Sequence, residues 1–377
     1  MSDLLFVTWD GGGNVPPALG IARELTTRGH RVRFLGHEAN RAAVQAAGFD
    51  FEPYRTARPF SSLAPGSPLA QMAMFADRGM GRDLTDSLRR EPADLVVVDC
   101  LLFGAMEALR VGGTPYVVLE HLYDAYLRGT WLRGPLGLGM RARRLRPTRS
   151  LAGAAATLVA TLPELDEGSR SGHAAGLDFI GPVVPPLQQA AATPEPTVLV
   201  SLSTYAFPGM SGRLQALLDA AGDLDARVVA TTGPAIDPAD LRPAANTELH
   251  RFVPHAEVMP AATLVVGHGG HGTTMQALAH DLPVVVMPQH PFLDQPMVGT
   301  TVASAGAGAV VSRSAKPSEL APVLAKLLDD GPHRDAAARL GAAIRALPGA
   351  TNGADRLEEV LRPERPAPAP GRPAAPR

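Results

Sequence analysis

Short runs that are apolar at odd and even positions alike constrain this chain more than any other feature. They lie at Leu4 to Thr8, Leu95 to Val98, Val198 to Leu202 and Val284 to Met287. A strand with no polar face has to be covered on both sides, the condition of a parallel sheet between two layers of helix. The intervening segments fit. After the first run comes the turn Asp10-Gly11-Gly12-Gly13, and then Ala18, Leu19, Ile21, Ala22 and Leu25 at helical spacing up to a stop at Gly29. Arg31 to Leu35 reads as the next strand, Arg41 to Ala47 as a helix, Phe103 to Val111 as another, and Tyr116 to Leu119 as a strand. Strands alternating with helices at this spacing predict right-handed βαβ units in an α/β protein.

A chain of 377 residues is too long for one ordinary core and divides naturally into two. Composition shifts at Gly181-Pro182-Val183-Val184-Pro185-Pro186 and stays rich in Ala, Pro and Thr through Pro196. The alternation then restarts, with further strands at Arg227 to Thr231 and Leu264 to Val266. The expected layout is an N-terminal domain over 1–182, a linker over 183–196, a C-terminal domain over 197–361 and a disordered Pro/Ala/Arg tail over 362–377.

The formal charge of −2 gives no general attraction toward nucleic acid or anionic lipid, and the arginines at 141, 143, 144, 146 and 149 read as a solvated face. A single cysteine, Cys100, rules out a disulfide framework and any multi-cysteine metal site. The sequence shows neither a secretory leader nor the ~18–20 apolar residues of a membrane span, so a soluble, cytoplasmic protein is expected. The oligomeric state stays open between monomer and homodimer.

Two long stretches, Thr56 to Gly81 and Leu122 to Pro147, read as irregular, and loops of that length often bind ligands. They carry Met72, Phe75, Tyr123 and Trp131, expected here to form a pocket for a small apolar or aromatic molecule, against the alternative that they pack on their own domain.

The most informative segment is Val265 to Thr274, where a strand ends in Gly267-His268-Gly269-Gly270 and opens into a helix expected to begin near Thr273. Glycines let backbone approach a ligand, and the unpaired N–H groups of a helix start favour an anion. There is no lysine after the glycines, and no G-x-G-x-x-G opens the first βα turn, so neither a Walker loop nor a dinucleotide fingerprint is present.

The run "HGGHGTTMQAL" (His268 to Leu278), with "RFVPH" (Arg251 to His255), "LPVVVMP" (Leu282 to Pro288) and Asp294-Gln295-Pro296, resembles the nucleotide-sugar signature of the family 1 glycosyltransferases, in particular bacterial enzymes that decorate natural products. Weaker likeness extends over most of the chain through "RGHRV", "ADLVVVD" and "VLVSLST". The resemblance implies the GT-B architecture, two doubly wound Rossmann-like domains facing each other across a cleft. It implies inverting sugar transfer from a nucleoside-diphosphate sugar, used as co-substrate with no further cofactor, and with no metal cluster visible in the sequence metal independence is expected. Carried over, it places Phe252 and Val253 at the base and His268, Gly270 and Thr273 at the diphosphate, with His271 and Gly272 also in the donor set. Asp294 and Gln295 fall at the sugar, with Ser203 and Thr232 in the same donor set. Gln276 stands where many members have a ribose-binding glutamate, which leans the donor from UDP toward dTDP.

The catalytic position departs from the pattern. Where members keep a histidine as base, three residues before a proline, this chain has Asn14, which cannot act as one. Asp99 matches the aspartate that orients that histidine. Asp10 is ranked first as a replacement, with Asp99 and His121 close behind and Asn14 as a positioner. The alternatives to a transferase are a sugar-nucleotide epimerase or hydrolase of the same fold and a catalytically inactive activator.

Overall fold

The computed structural model describes residues 1–64, 68–188 and 195–362. Seven strands form the first sheet: β1 (Asp3–Val7), β2 (Arg31–Gly36), β3 (Asp50–Pro53), β4 (Leu95–Asp99), β5 (Tyr116–Glu120), β6 (Ala156–Val159) and β7 (Asp178–Phe179). Six form the second: β8 (Thr197–Ser201), β9 (Arg227–Thr231), β10 (Thr247–His250), β11 (Leu264–Gly267), β12 (Val284–Val286) and β13 (Gly308–Val310). All pairings are parallel, in the orders β3-β2-β1-β4-β5-β6-β7 and β10-β9-β8-β11-β12-β13.

The apolar runs behave as their composition requires. In β1, Leu4 and Phe6 enter one hydrophobic cluster while Leu5 and Val7 enter another; in β8, Val198 and Val200 separate from Leu199 in the same way. Strand order reverses beside β1 and beside β8, and ligands of open α/β sheets bind at such switch points, outside the carboxyl ends of the strands.

Several expectations are corrected. The stretch 122–147 is largely helical and 56–81 partly so: Pro68–Phe75, the start of Arg78–Arg90, a π-helical segment Ala125–Trp131, and Pro135–Ala142. The Ala-rich segment before Leu162 contains β6, and β3, β7, β10 and β13 were not anticipated. β3, β7, β10 and β13 are short and are the four edge strands of the two sheets, and β3 (Asp-Phe-Glu-Pro) and β10 (Thr-Glu-Leu-His) carry the polar positions that solvent allows there.

The domain boundary also moves. Helix Gly349–Leu361, assigned by sequence to the C-terminal domain, packs on helix Val15–Thr27 of the N-terminal one. Ala354 and Leu357 share the cluster of Leu4 and Ile21, Arg28 pairs with Asp355 and Glu358, and Asn352 Nδ2 donates to the Ile180 carbonyl. Linker residues 189–194 and tail residues 363–377 lie outside the described part of the chain.

Candidate active site in the interdomain cleft

The carboxyl ends of the two sheets meet. His271 Nε2 lies 2.9 Å from Thr161 Oγ1 beyond β6, with its ring edge-on to Tyr123 at 5.4 Å. Tyr126 donates its hydroxyl to the Phe292 carbonyl at 2.8 Å, and Gln71 Nε2 donates to the Tyr205 hydroxyl at 2.6 Å. Every one of these contacts joins the N-terminal half to a loop or helix start of the C-terminal half.

On the C-terminal side, β11 ends at Gly267 and the helix begins at His271, two residues before the position expected from sequence. Its first turn closes with Thr274 N–H on the Gly270 carbonyl at 3.0 Å. The N–H groups of His271, Gly272 and Thr273 therefore have no partner inside the helix and converge on its positive end. The loop needs glycine at 269, where φ is +83° and a Cβ would meet Val286 and the Gln295 carbonyl. At Gly270 a Cβ would lie 2.6 Å from Cε1 and Nε2 of His268, so that imidazole rests directly over the helix start. Burial, reinforced by the nearby His255, lowers the pKa of His268 to about 4, and the ring is neutral at physiological pH. A neutral imidazole offers one donor and one acceptor.

Around this centre the expected donor residues divide. Phe252 is 73% exposed, an apolar ring left facing solvent, and Val253 beside it is half-buried. Asp294 stands at the start of helix Gln295–Ser304 and caps nothing; burial, partly offset by His121, raises its carboxyl to about 6. Gln295 uses its amide oxygen on the N–H groups of Gln289 and His290, leaving its NH₂ without a partner among the described residues. Two expectations are corrected. Thr232 is buried with its hydroxyl on the Gly233 carbonyl, and the His271 side chain is spent on the domain contact, so that only its backbone N–H stays open at the helix start. Ser203 Oγ accepts from Tyr205 N–H, shaping the loop after β8, and Gln276 is buried within its helix.

A relay not anticipated from the sequence supports this side. Thr231 donates to Ser201 Oγ at 2.8 Å, and Ser201 Oγ lies 3.0 Å from His255 Nε2. The final histidine of "RFVPH" was its only sequence signal.

On the N-terminal side Asn14 is buried, donating to Thr8 Oγ1 at 2.9 Å and to the Trp9 carbonyl at 3.1 Å, while its Oδ1 is without a partner. Asp10, ranked first by sequence, is engaged: its carboxylate accepts from Ser62 N–H at 2.9 Å and from the Ser62 hydroxyl at 3.2 Å. Asp99 and His121 come together, with Nδ1 3.3 Å from Oδ2. Burial pulls the His121 pKa down, but the charge and hydrogen bond of Asp99, aided by Asp294, outweigh it and leave the imidazole above its ordinary value. Asp99, Cys100 and His121 present ligand atoms within 4.8 Å of one another. Burial pushes the Cys100 thiol well up, and its Sγ lies 3.8 Å from His121 Nδ1.

The expected acceptor residues are corrected in part. Phe75 and Trp131 are core, with ring centroids 5.9 Å apart, and Trp131 also packs on Phe103 at 5.2 Å. Tyr123 is fully enclosed with its hydroxyl unpartnered, and Met72 alone is half-buried.

Two Rossmann-like domains meeting at their strand ends over an anion-binding helix start are the GT-B fold. Residues 215–360 match the erythromycin biosynthesis protein CIII-like C-terminal domain. The chain is 28% identical to 4'-demethylrebeccamycin synthase of Lentzea aerocolonigenes, covering 95% of this chain and 99% of that protein. It is 27% identical to demethyllactenocin mycarosyltransferase of Streptomyces fradiae, covering 96% and 87%. Among solved structures, the glycotransferase of kitacinnamycin superposes with a TM-score of 0.80 at 24% identity, covering 96% and 99%. The chain has the GT-B fold and is similar over nearly its whole length to these natural-product enzymes, whose names favour the transferase over the epimerase and activator alternatives. No helix among the described residues is long and apolar enough to cross a membrane.

Proposed function

We propose that this protein transfers a sugar from a dTDP- or UDP-linked donor to a small apolar or aromatic natural-product acceptor, with inversion at the anomeric carbon and without a metal ion. The observation that carries the reading is the neutral His268 lying over an open helix start inside the cleft. The base stacks on Phe252. The diphosphate takes the N–H groups of residues 271–273 and a hydrogen bond from His268. Asp294 and the Gln295 amide meet the sugar hydroxyls. As the anomeric bond breaks, charge grows on the leaving diphosphate where these donors already point, which is how preorganised dipoles lower a barrier. Gln276, which cannot supply a carboxylate to a ribose diol, supports dTDP over UDP. The names of the two relatives matched over most of their length, 4'-demethylrebeccamycin synthase and demethyllactenocin mycarosyltransferase, support a natural-product acceptor.

A thermal-shift titration with dTDP, UDP, ADP and GDP tests the donor site, because a ligand bound only by the folded state raises the melting point. A rise with dTDP or UDP that is lost in His268→Ala is expected. No rise with any of the four overturns the reading. The anomeric configuration of the product, read by NMR, tests inversion.

A further inference from the structure

Neither Asn14 nor Asp10 is placed to take a proton: the first is an amide, and the second is held by Ser62 through both carboxylate oxygens. We infer that His121, oriented by Asp99, is the group that receives the proton of the attacking acceptor, so that the base sits at the end of β5 and not in the loop after β1. The inference rests on the sugar-transfer reading above.

The geometry is that of a base with its orienting partner. Asp99 Oδ1 accepts from Leu101 N–H at 2.9 Å, which fixes the carboxylate, and Oδ2 faces His121 Nδ1 at 3.3 Å. The side chains are 6% and 12% exposed, so the pair is shielded from bulk water, and His121 follows directly on β5 at the carboxyl edge of the first sheet. With its proton on Nδ1, the lone pair falls on Nε2, which has no hydrogen-bond partner among the described residues. The ionisable groups facing this ring are Asp99 and Cys100 from the β4 end, Asp294 from the helix carrying the sugar site, and His271 from the diphosphate helix. His121 follows β5 and Asp294 precedes helix Gln295–Ser304, so both belong to the edges that meet at the cleft, and each shifts the other's titration through its charge.

In the step, the acceptor O–H proton passes to Nε2 as the oxygen bonds to the anomeric carbon. The bond from that carbon to the diphosphate oxygen breaks, and its electron pair leaves with the nucleoside diphosphate. The imidazolium is held by Asp99 until it returns its proton to water.

The test uses water as the acceptor, following release of dTDP from dTDP-glucose by the full chain. His121→Gln is expected to slow release about 10²-fold or more, to abolish the acidic limb of the kcat–pH profile, and to leave the melting-point rise with dTDP intact. Asp99→Asn is expected to move that limb to lower pH, because the carboxylate raises the imidazole. A limb that survives in His121→Gln, or disappears in Asp10→Asn, overturns the inference while the donor site stands. Failure of dTDP to bind the wild type overturns the function reading instead. A ¹⁵N spectrum of the imidazole reads the tautomer without turnover: a proton on Nδ1 is expected, and one on Nε2 overturns the assignment.

Discussion

Replacing Gly270 by alanine isolates the His268 contribution to nucleotide binding. The backbone at Gly270 has φ −64° and ψ 128°, which alanine adopts freely, and replacing an N-cap glycine by alanine costs about 0.5–1 kcal/mol of helix stability. The new methyl would lie 2.6 Å from Cε1 and Nε2 of His268, so the end of that ring must swing away from the helix start. What is lost is one hydrogen bond to a charged phosphate, roughly 1.5–3 kcal/mol, or about 10- to 150-fold in Kd. Calorimetric titration with dTDP measures this, and a melting curve of the free protein checks that the fold is unchanged. His268→Ala should lose a similar amount, and the double variant little more than either single one, since both remove the same contact. Independent, additive losses would refute the idea that residue 270 acts through the ring.

Burial, with His255 and His121 adding to it, lowers His268 to about 4 and His271 to about 3, so the unfolded chain binds protons the native one refuses once pH falls below the ordinary histidine value. Stability is therefore full at neutral pH and lost as pH falls from about 6.5 toward these values; melting temperatures across that window should drop, and His271→Asn should make the drop shallower. Thr161→Val leaves His271 Nε2 buried without its partner and should reduce stability by about 1–3 kcal/mol in denaturant titration; an unchanged midpoint would deny the contact any weight. Leu357→Ala empties a fully buried site between the last helix and the N-terminal domain and should destabilise by about 2–5 kcal/mol, with a loss under 1 kcal/mol counting against that packing.

Much of the donor side was legible because its chemistry is local in sequence: strand, glycine turn and helix start follow one another from Val265 to Thr274. The catalytic side was legible only as a set of candidates. Asp10 and His121 both stand at strand ends, and nothing in their neighbours reveals that Ser62, 52 residues away, occupies one while Asp99 joins the other. Thr232 and His271 were misjudged for the same reason, since polar residues in a loop look alike until their partners are known. The edge strands escaped because a strand open to solvent lacks the uniform apolar signature that exposed β1 and β8 at once.

The last helix changes what can be exchanged between enzymes of this shape. The chain crosses from one half to the other twice, once through residues 183–196 and again near Leu347, where a Cβ at Gly181 would meet the Leu347 carbonyl. A hybrid designed to graft a new acceptor half onto this donor half needs two segments from the acceptor parent, the first 182 residues and the closing helix from Gly349. Joining the halves at the linker alone would press a foreign helix against Ile21 and Arg28, and the misfit would show as lost solubility before any change of substrate could be read.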